Sequence, residues 1–227
     1  MKKVLIAGAT GMIGKLITEM CLESEEIYHV TTLVRKETAS TNTKLKEVVV
    51  ADMLDLSSVA YEFKNIDIAF FCIGAYTGKV NDDQFAKITV DMPVAFAKAL
   101  KSNSSQATLC LLSGQGADRE EKSKMAFAKY KGMAENQLSN IGLKAFYTFR
   151  PAYIYPVTKR KEPNFIYTLS RLLYPIIKLF GKNGSVKSTE LASAMFSVGL
   201  NSYEKEVIEN HEIIDIYQNQ KNLSNVS

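Results

Sequence analysis

Apolar residues recur along this chain in two alternating rhythms. Short segments rich in apolar or β-branched residues occupy residues 2–7 (KKVLIA), 29–34 (HVTTLV), 45–51 (LKEVVVA), 66–73 (IDIAFFCI), 108–112 (TLCLL) and 145–149 (AFYTF). Their length and their content of Val, Ile, Leu, Phe and Thr predict strands, the first of them buried. Between them the spacing becomes helical. Met12, Leu16, Ile17 and Met20 share one face of a segment from 12 to about 21, and Phe85, Ile88, Met92 and Phe96 share one face of 85–100. Residues 122–138 predict a further helix. Strands alternating with helices imply stacked βαβ units, an α/β fold with a mostly parallel sheet covered on both faces.

After Pro151 the rhythm changes. A basic loop at 158–162 leads into a helix at 164–180 that is apolar almost all round, and Asn183 and Gly184 predict a turn. Ser188 or Thr189 then caps a helix to about residue 200. Residues 212–217 (EIIDIY) predict a last strand, and 218–227 a frayed tail. No repeat or linker divides the chain. It reads as one domain, with its core at about 1–157 and 188–217 and a small C-terminal cap at about 158–187.

Composition narrows the class. With 46% hydrophobic and 23% charged residues over 227 positions, a disordered chain, a collagen and a coiled coil are excluded. The 28 basic and 24 acidic side chains leave a net charge of +4, too little and too dispersed to imply nucleic-acid binding. Three cysteines (Cys21, Cys72, Cys110) lie in apolar runs, and the two histidines (His29, His211) stand far apart, so no metal site is expected. The thiols read as buried and reduced. No signal peptide is expected, because the N-terminal apolar run breaks into glycines. The longest apolar stretch, 165–180, is interrupted by Arg171, Pro175 and Lys178, short of the about 20 residues of a membrane span. A cytoplasmic location follows as the expectation.

The most informative segment is Ala7-Gly8-Ala9-Thr10-Gly11-Met12-Ile13-Gly14, directly after the first strand and opening the first helix. Gly8 permits a tight turn, Gly11 lets backbone approach a diphosphate, and Gly14 lets helix and strand pack closely. The helix start then offers unpaired N–H groups and a positive dipole end to phosphates. This is a Rossmann-type turn and implies a doubly wound sheet. After the second strand, enzymes that take NAD place an acid against the ribose; here Arg35 and Lys36 stand there instead. A guanidinium can grip a 2′-phosphate bidentately, so NADP(H) is expected over NAD(H). The bland alternative is a solvated Arg–Lys pair.

The G-x-x-G-x-x-G spacing resembles the extended and atypical members of the short-chain dehydrogenase/reductase superfamily. Further segments fall in order: residues 71–79 (FCIGAYTGK), 111–118 (LLSGQGAD), Lys131-Gly132, Phe149-Arg150-Pro151 and 209–216 (ENHEIIDI). Together they are similar to the Tat-interacting-protein-like, NmrA/epimerase-like branch over about residues 3–216. The resemblance implies that Asp52 and Met53 lie against the adenine, with a turn acid as the alternative for Asp52. It also implies that Cys72, Ile73 and Gly74 wall the adenosine ribose. Cys72 has no basic neighbour in sequence and reads as packing rather than as a nucleophile. Ala152, Tyr153 and Ile154, after Pro151, would run beside the carboxamide of the nicotinamide.

Reductases of this superfamily use a Ser, a Tyr and a Lys four residues after the Tyr, the ammonium lowering the phenol pKa so that it can pass a proton. Alignment on Lys131-Gly132 puts Phe127 at the tyrosine position, and a phenyl ring donates no proton. Ser113 ends the fifth strand in the serine region beside Gly114, and which of these positions carries the functional hydroxyl stays open. Tyr130 is the substitute phenol to consider, about 60° around the helix from Phe127; Tyr153 is another. Lys131 keeps a role without the phenol, as a donor to the nicotinamide ribose.

The basic residues Lys159, Arg160 and Lys161 beside the apolar 164–180 segment leave peripheral membrane or protein contact open, although a buried cap over an apolar pocket is the preferred reading. Three functions follow. The first is an NADP(H)-binding oxidoreductase acting on a small or apolar carbonyl or epimerase-type substrate. The second is an NADP(H)-binding sensor or scaffold with little turnover, because of Phe127. The third is an electron-transfer or chaperone-like partner docking through 164–180.

Overall fold

A computed structural model describes residues 1–38, 40–75, 80–157, 181 and 183–224. The element order is β1 (Lys2–Ala7), α1 (Met12–Glu23), β2 (Ile27–Val34), β3 (Leu45–Val49), a 3-10 helix (Ser57–Phe63), β4 (Ile68–Phe71), α2 (Asp82–Ala86), a π-helical turn (Lys87–Asp91), α3 (Met92–Asn103), β5 (Thr108–Leu112), α4 (Ala126–Ser139), β6 (Ala145–Arg150), β7 (Tyr153–Tyr155), β8 (Ser185–Lys187), α5 (Ser188–Asn201), β9 (Val207–Glu209) and α6 (Asn210–Ser224).

Seven strands form one sheet in the order β3-β2-β1-β4-β5-β6-β9, and every pairing in it is parallel. This is the doubly wound arrangement. Val4, Leu5, Ile6 and Ala7 of β1 and all of β4 are buried, because helices cover both faces; strands so placed read as unbroken apolar runs rather than alternating ones. On one face α1, α5 and α6 pack through Ile13, Ile17, Leu191, Met195, Val198 and Ile213. On the other, the 3-10 helix, α3 and α4 pack through Phe63, Phe96, Leu100 and Leu138. Phe96 sits edge-on to both Phe63 and Phe71, at centroid distances of 5.3 and 5.4 Å, a favoured geometry for aromatic pairs.

The strand order reverses beside β1. Ala7 pairs with Leu33 of β2 on one side and with Phe71 of β4 on the other. α1, which follows β1, and the 3-10 helix, which leads into β4, lie on opposite faces there, so a crevice opens beyond the carboxyl ends of these strands.

Three expectations are corrected. Residues 212–217 are not a strand; they lie within α6, and the last strand of the sheet is the shorter Val207–Glu209. The run fits both periods, and the Glu212 carboxylate, accepting from the Glu209 N–H at 3.0 Å, favours the helical start. The tail expected at 218–227 is helical as far as Ser224. The helix expected from 122 begins at Ala126, because Asp118 accepts from the N–H groups of Glu120 and Ser123 and holds that stretch in a turn. A two-stranded sheet, β7 with β8, is additional. The expected cap helix at 164–180, the basic residues 159–161 and the segment 76–79 lie outside the described residues. Among the described residues no helix is long and apolar enough to cross a membrane.

Candidate functional site: a crevice at the glycine turn

β1 ends at Ala7, and the chain turns at Gly8 with φ of +90°, a left-handed conformation open to glycine at no steric cost. A Cβ at Gly8 would lie 2.7 Å from the Cys72 carbonyl carbon, and one at Gly14 only 2.2 Å from the Gly8 carbonyl oxygen. β1, α1 and the end of β4 can therefore meet only where these positions carry no side chain. The Gly11 N–H donates to the Gly8 oxygen at 2.9 Å and completes the turn. Gly11 caps α1 without any side-chain hydrogen bond, and no acid stands in the first helical turn. The first-turn N–H groups and the positive dipole end are thus left for an anion. A main-chain cradle that any Cβ would fill suits a diphosphate.

Two adjoining clefts run from this turn. One, of about 350 Å³, is lined on the β2 side by Leu33, Val34 and Arg35, with Gly8, Thr10, Met53, Ile88 and Met92 around it. The other, of about 410 Å³, extends over Met12, Ile13, Leu112, Ser113, Gly114, Phe127 and Lys131 to Pro151, Ala152, Tyr153 and Ile154. They share Gly11, Cys72, Ile73 and Gly74 as a common floor. Burial pushes the Cys72 thiol up to about 12, so it stays protonated and is no nucleophile. Arg35 is exposed and forms no ion pair among the described residues.

At the Lys131 end, a Cβ on Gly114 would lie 2.7 Å from Cζ of Phe127 and 3.2 Å from Cε of Lys131. The phenyl ring therefore fills the space a side chain at 114 would need. Gly114 and Phe127 form a steric pair, and Ser113 is the residue of this pair of positions that brings a side-chain hydroxyl to the cleft. The Lys131 ammonium sits 5.3 Å from the Phe127 ring centroid. It forms no hydrogen bond or ion pair among the described residues. Burial lowers its pKa to about 8, against a smaller opposing pull from Glu135. Tyr130 faces elsewhere: its hydroxyl donates to Asp82 Oδ2 at 2.6 Å, its ring packs beside Phe85, and it lines neither cleft. The bond to Asp82 also raises its pKa, the reverse of what a proton-passing phenol needs.

Beneath this end lies a residue that the sequence reading missed. Glu135, one turn beyond Lys131, is fully buried. Its carboxylate accepts from Ser113 Oγ at 2.6 Å, Thr148 Oγ1 at 3.0 Å, Arg119 Nε at 2.9 Å and Arg150 Nη2 at 2.5 Å. Burial pushes its pKa up, but the bonds from Arg150, Ser113 and Arg119 outweigh that and hold it below the ordinary value. Arg119 also pairs with Glu206, and Arg150 with Glu209. The ends of β5, β6 and β9 are thereby tied to α4. The buried Asn210 adds a clamp: its Oδ1 accepts from the Ala152 N–H at 2.8 Å and its Nδ2 donates to the Ser185 oxygen at 3.2 Å, fixing the wall after Pro151.

Of the residues singled out from sequence, Gly8, Thr10, Gly11, Met12, Ile13, Arg35, Met53, Cys72, Ile73, Gly74, Ser113, Lys131, Pro151, Tyr153 and Ile154 line the two clefts. Gly14 lies behind the turn, where it permits helix packing. Lys36 is exposed and lines neither cleft. Asp52 caps its own turn, accepting from the Leu54 N–H at 2.9 Å, and is also outside the clefts. Among the described residues no group of His, Cys, Asp and Glu gathers to hold a metal.

A family model described as NAD(P)H-binding matches residues 8–159. The chain is 28% identical to Protein HTATIP2 of Rattus norvegicus over 157 residues, covering 67% of this chain and 63% of that protein. It is 29% identical to Protein FMP52, mitochondrial, of Candida albicans over 161 residues, covering 69% and 68%. The match thus spans less than two thirds of the HTATIP2 length. Among solved structures, Gre2 of Candida albicans in complex with NADPH superposes with a TM-score of 0.69 over 92% of this chain and 78% of that one. At 16% identity that likeness is one of fold.

Proposed function

We propose that this chain, which belongs to the NAD(P)H-binding family and is an atypical short-chain dehydrogenase/reductase, binds NADP(H) across both clefts and acts as an oxidoreductase on a small or apolar carbonyl or epimerase-type substrate. The observation that carries this is the shared floor: one trench, built on the glycine turn, has toward each end a cation with no ion pair among the described residues, Arg35 and Lys131. The first-turn N–H groups of α1 would hold the diphosphate, Arg35 the 2′-phosphate, Leu33 and Met53 the adenine, and Lys131 the ribose hydroxyls. Ala152, Tyr153 and Ile154 would flank the carboxamide. When bound, the nicotinamide supplies or accepts a hydride. Ser113 and Lys131 would orient the substrate oxygen, and the apolar lining of Met12, Ile13, Leu112 and Phe127 would exclude water.

A second reading is an NADP(H)-binding sensor or scaffold with little turnover. It is favoured by Phe127 at the phenol position together with Tyr130 turned to Asp82. NADPH oxidation against a carbonyl panel separates the two. Turnover that falls in Ser113→Ala and Lys131→Ala supports the oxidoreductase, while tight NADPH binding with no turnover supports the sensor.

The Lys131 ammonium gives a pH signature. A coenzyme that accepts its N–H bonds favours the protonated form, so affinity should hold below pH about 8 and fall above it, by up to tenfold per pH unit. Lys131→Met should flatten that profile when NADPH binding is followed by fluorescence; a profile unchanged by the substitution removes Lys131 from the coenzyme site.

A further inference from the structure

Ser113 lines the nicotinamide-side cleft, but its single hydroxyl proton is committed elsewhere. Oγ stands 2.6 Å from Oε1 of Glu135. That carboxylate is fully buried and held ionised by Arg119 and Arg150. An ionised carboxylate can only accept, so in this bond the serine is the donor. Such charge-assisted bonds are the strong ones and are not readily surrendered to a neutral ligand. What Ser113 has left for the cleft is lone pairs. Gly114 supplies no second hydroxyl, since the Phe127 ring occupies the space of its Cβ. The Lys131 ammonium, which lines the same cleft, supplies donors.

We infer that the Ser113–Lys131 end of the cleft binds an alcohol hydroxyl in preference to a ketone oxygen, the hydroxyl donating to Ser113 Oγ and accepting from Lys131 Nζ. A ketone oxygen can only accept, and satisfies Lys131 while facing the lone pairs of Ser113. The apolar lining fits a hydrophobic body on the alcohol. The inference rests on the coenzyme reading above and deepens it: the tightly held member of the redox pair is the alcohol.

Cyclohexanol and cyclohexanone test this as probes, by amide chemical-shift titration. Cyclohexanol is added to protein with NADPH and cyclohexanone to protein with NADP⁺, so that neither pair turns over. Both are also added to coenzyme-free protein, which keeps the comparison decisive even if the dinucleotide itself fails to bind. Cyclohexanol is expected to bind about tenfold tighter, as for one hydrogen bond gained and one unmet group avoided. Ser113→Ala should bring the two ligands within about twofold, and Ser113→Cys, a weak acceptor, should do nearly the same. Amide spectra of both variants report whether the fold is kept, and the wild-type comparison stands without them. Equal affinities, a ketone preference, no binding of either probe, or an alcohol preference that survives Ser113→Ala would each overturn the inference. Shifts produced by NADPH alone report separately on the coenzyme reading.

Discussion

Glu135→Ala is expected to lower the unfolding free energy by about 3–5 kcal/mol, the usual cost of removing one partner from a buried ionic group. The carboxylate is fully buried and accepts from two guanidiniums and two hydroxyls. Its loss strands the inward faces of Arg119 and Arg150, although each keeps a second carboxylate, Glu206 or Glu209. Against a typical stability of about 5–15 kcal/mol the change is large, and it corresponds to a fall in thermal midpoint of roughly 10 °C for a chain of this size. Urea unfolding measures it, and a loss under about 1 kcal/mol would show that the network is not stabilising. The sign with pH follows from the depressed pKa. The native state binds fewer protons at this carboxyl than the unfolded state, so the stabilisation is complete above the ordinary value of 4.5 and disappears as pH falls through the lower native value. Glu135→Gln should therefore narrow its gap to the wild type as the solution is acidified.

Arg35→Ala is expected to weaken NADPH binding by roughly 10- to 100-fold while changing NADH by no more than about twofold, the range for hydrogen bonds to a charged group. Arg35 directly follows β2 and lines the cleft on the β2 side, and among the described residues no carboxylate pairs with it. Nearby Glu47 is instead engaged by the N–H and hydroxyl of Thr38, at 2.7 Å each. Because Arg35 is exposed, the NADPH difference should also shrink with added salt. Equal losses for both coenzymes in parallel calorimetric titrations would remove the 2′-phosphate from its account.

The parts of this molecule that could be read in advance are those whose cause is local. The strands β1, β4, β5 and β6 announce themselves because burial makes them largely apolar runs, and β2 because its Val and Thr residues favour an extended chain. The glycine turn is equally local: Gly8 and Gly14 answer to contacts within one strand–turn–helix unit, plus the passing backbone at Cys72. Residues 212–217 misled because six residues with isoleucines at 213, 214 and 216 suit either period, and the deciding contact is a side chain reaching back to Glu209. β7, β8 and β9 are three residues each, too short to carry a period. Glu135 was invisible for another reason. An acid on a helix is usually solvated, and only the fold brings Ser113, Arg119, Thr148 and Arg150, from separate segments, onto one carboxylate. The same holds for Tyr130, whose partner Asp82 is 48 positions away.

Asn210 gives the carboxyl-terminal stretch a reach that its distance from the glycine turn conceals. The amide that steadies Ala152 and the acid that grips Arg150 both arrive on the corner between β9 and α6, beyond the 8–159 segment that the family model matches. Proteolysis just before Val207 would leave the diphosphate turn chemically complete yet unfasten the far wall of the trench. A shortened chain of that kind would be expected to grip the adenosine half of a coenzyme while letting its reactive ring swing loose.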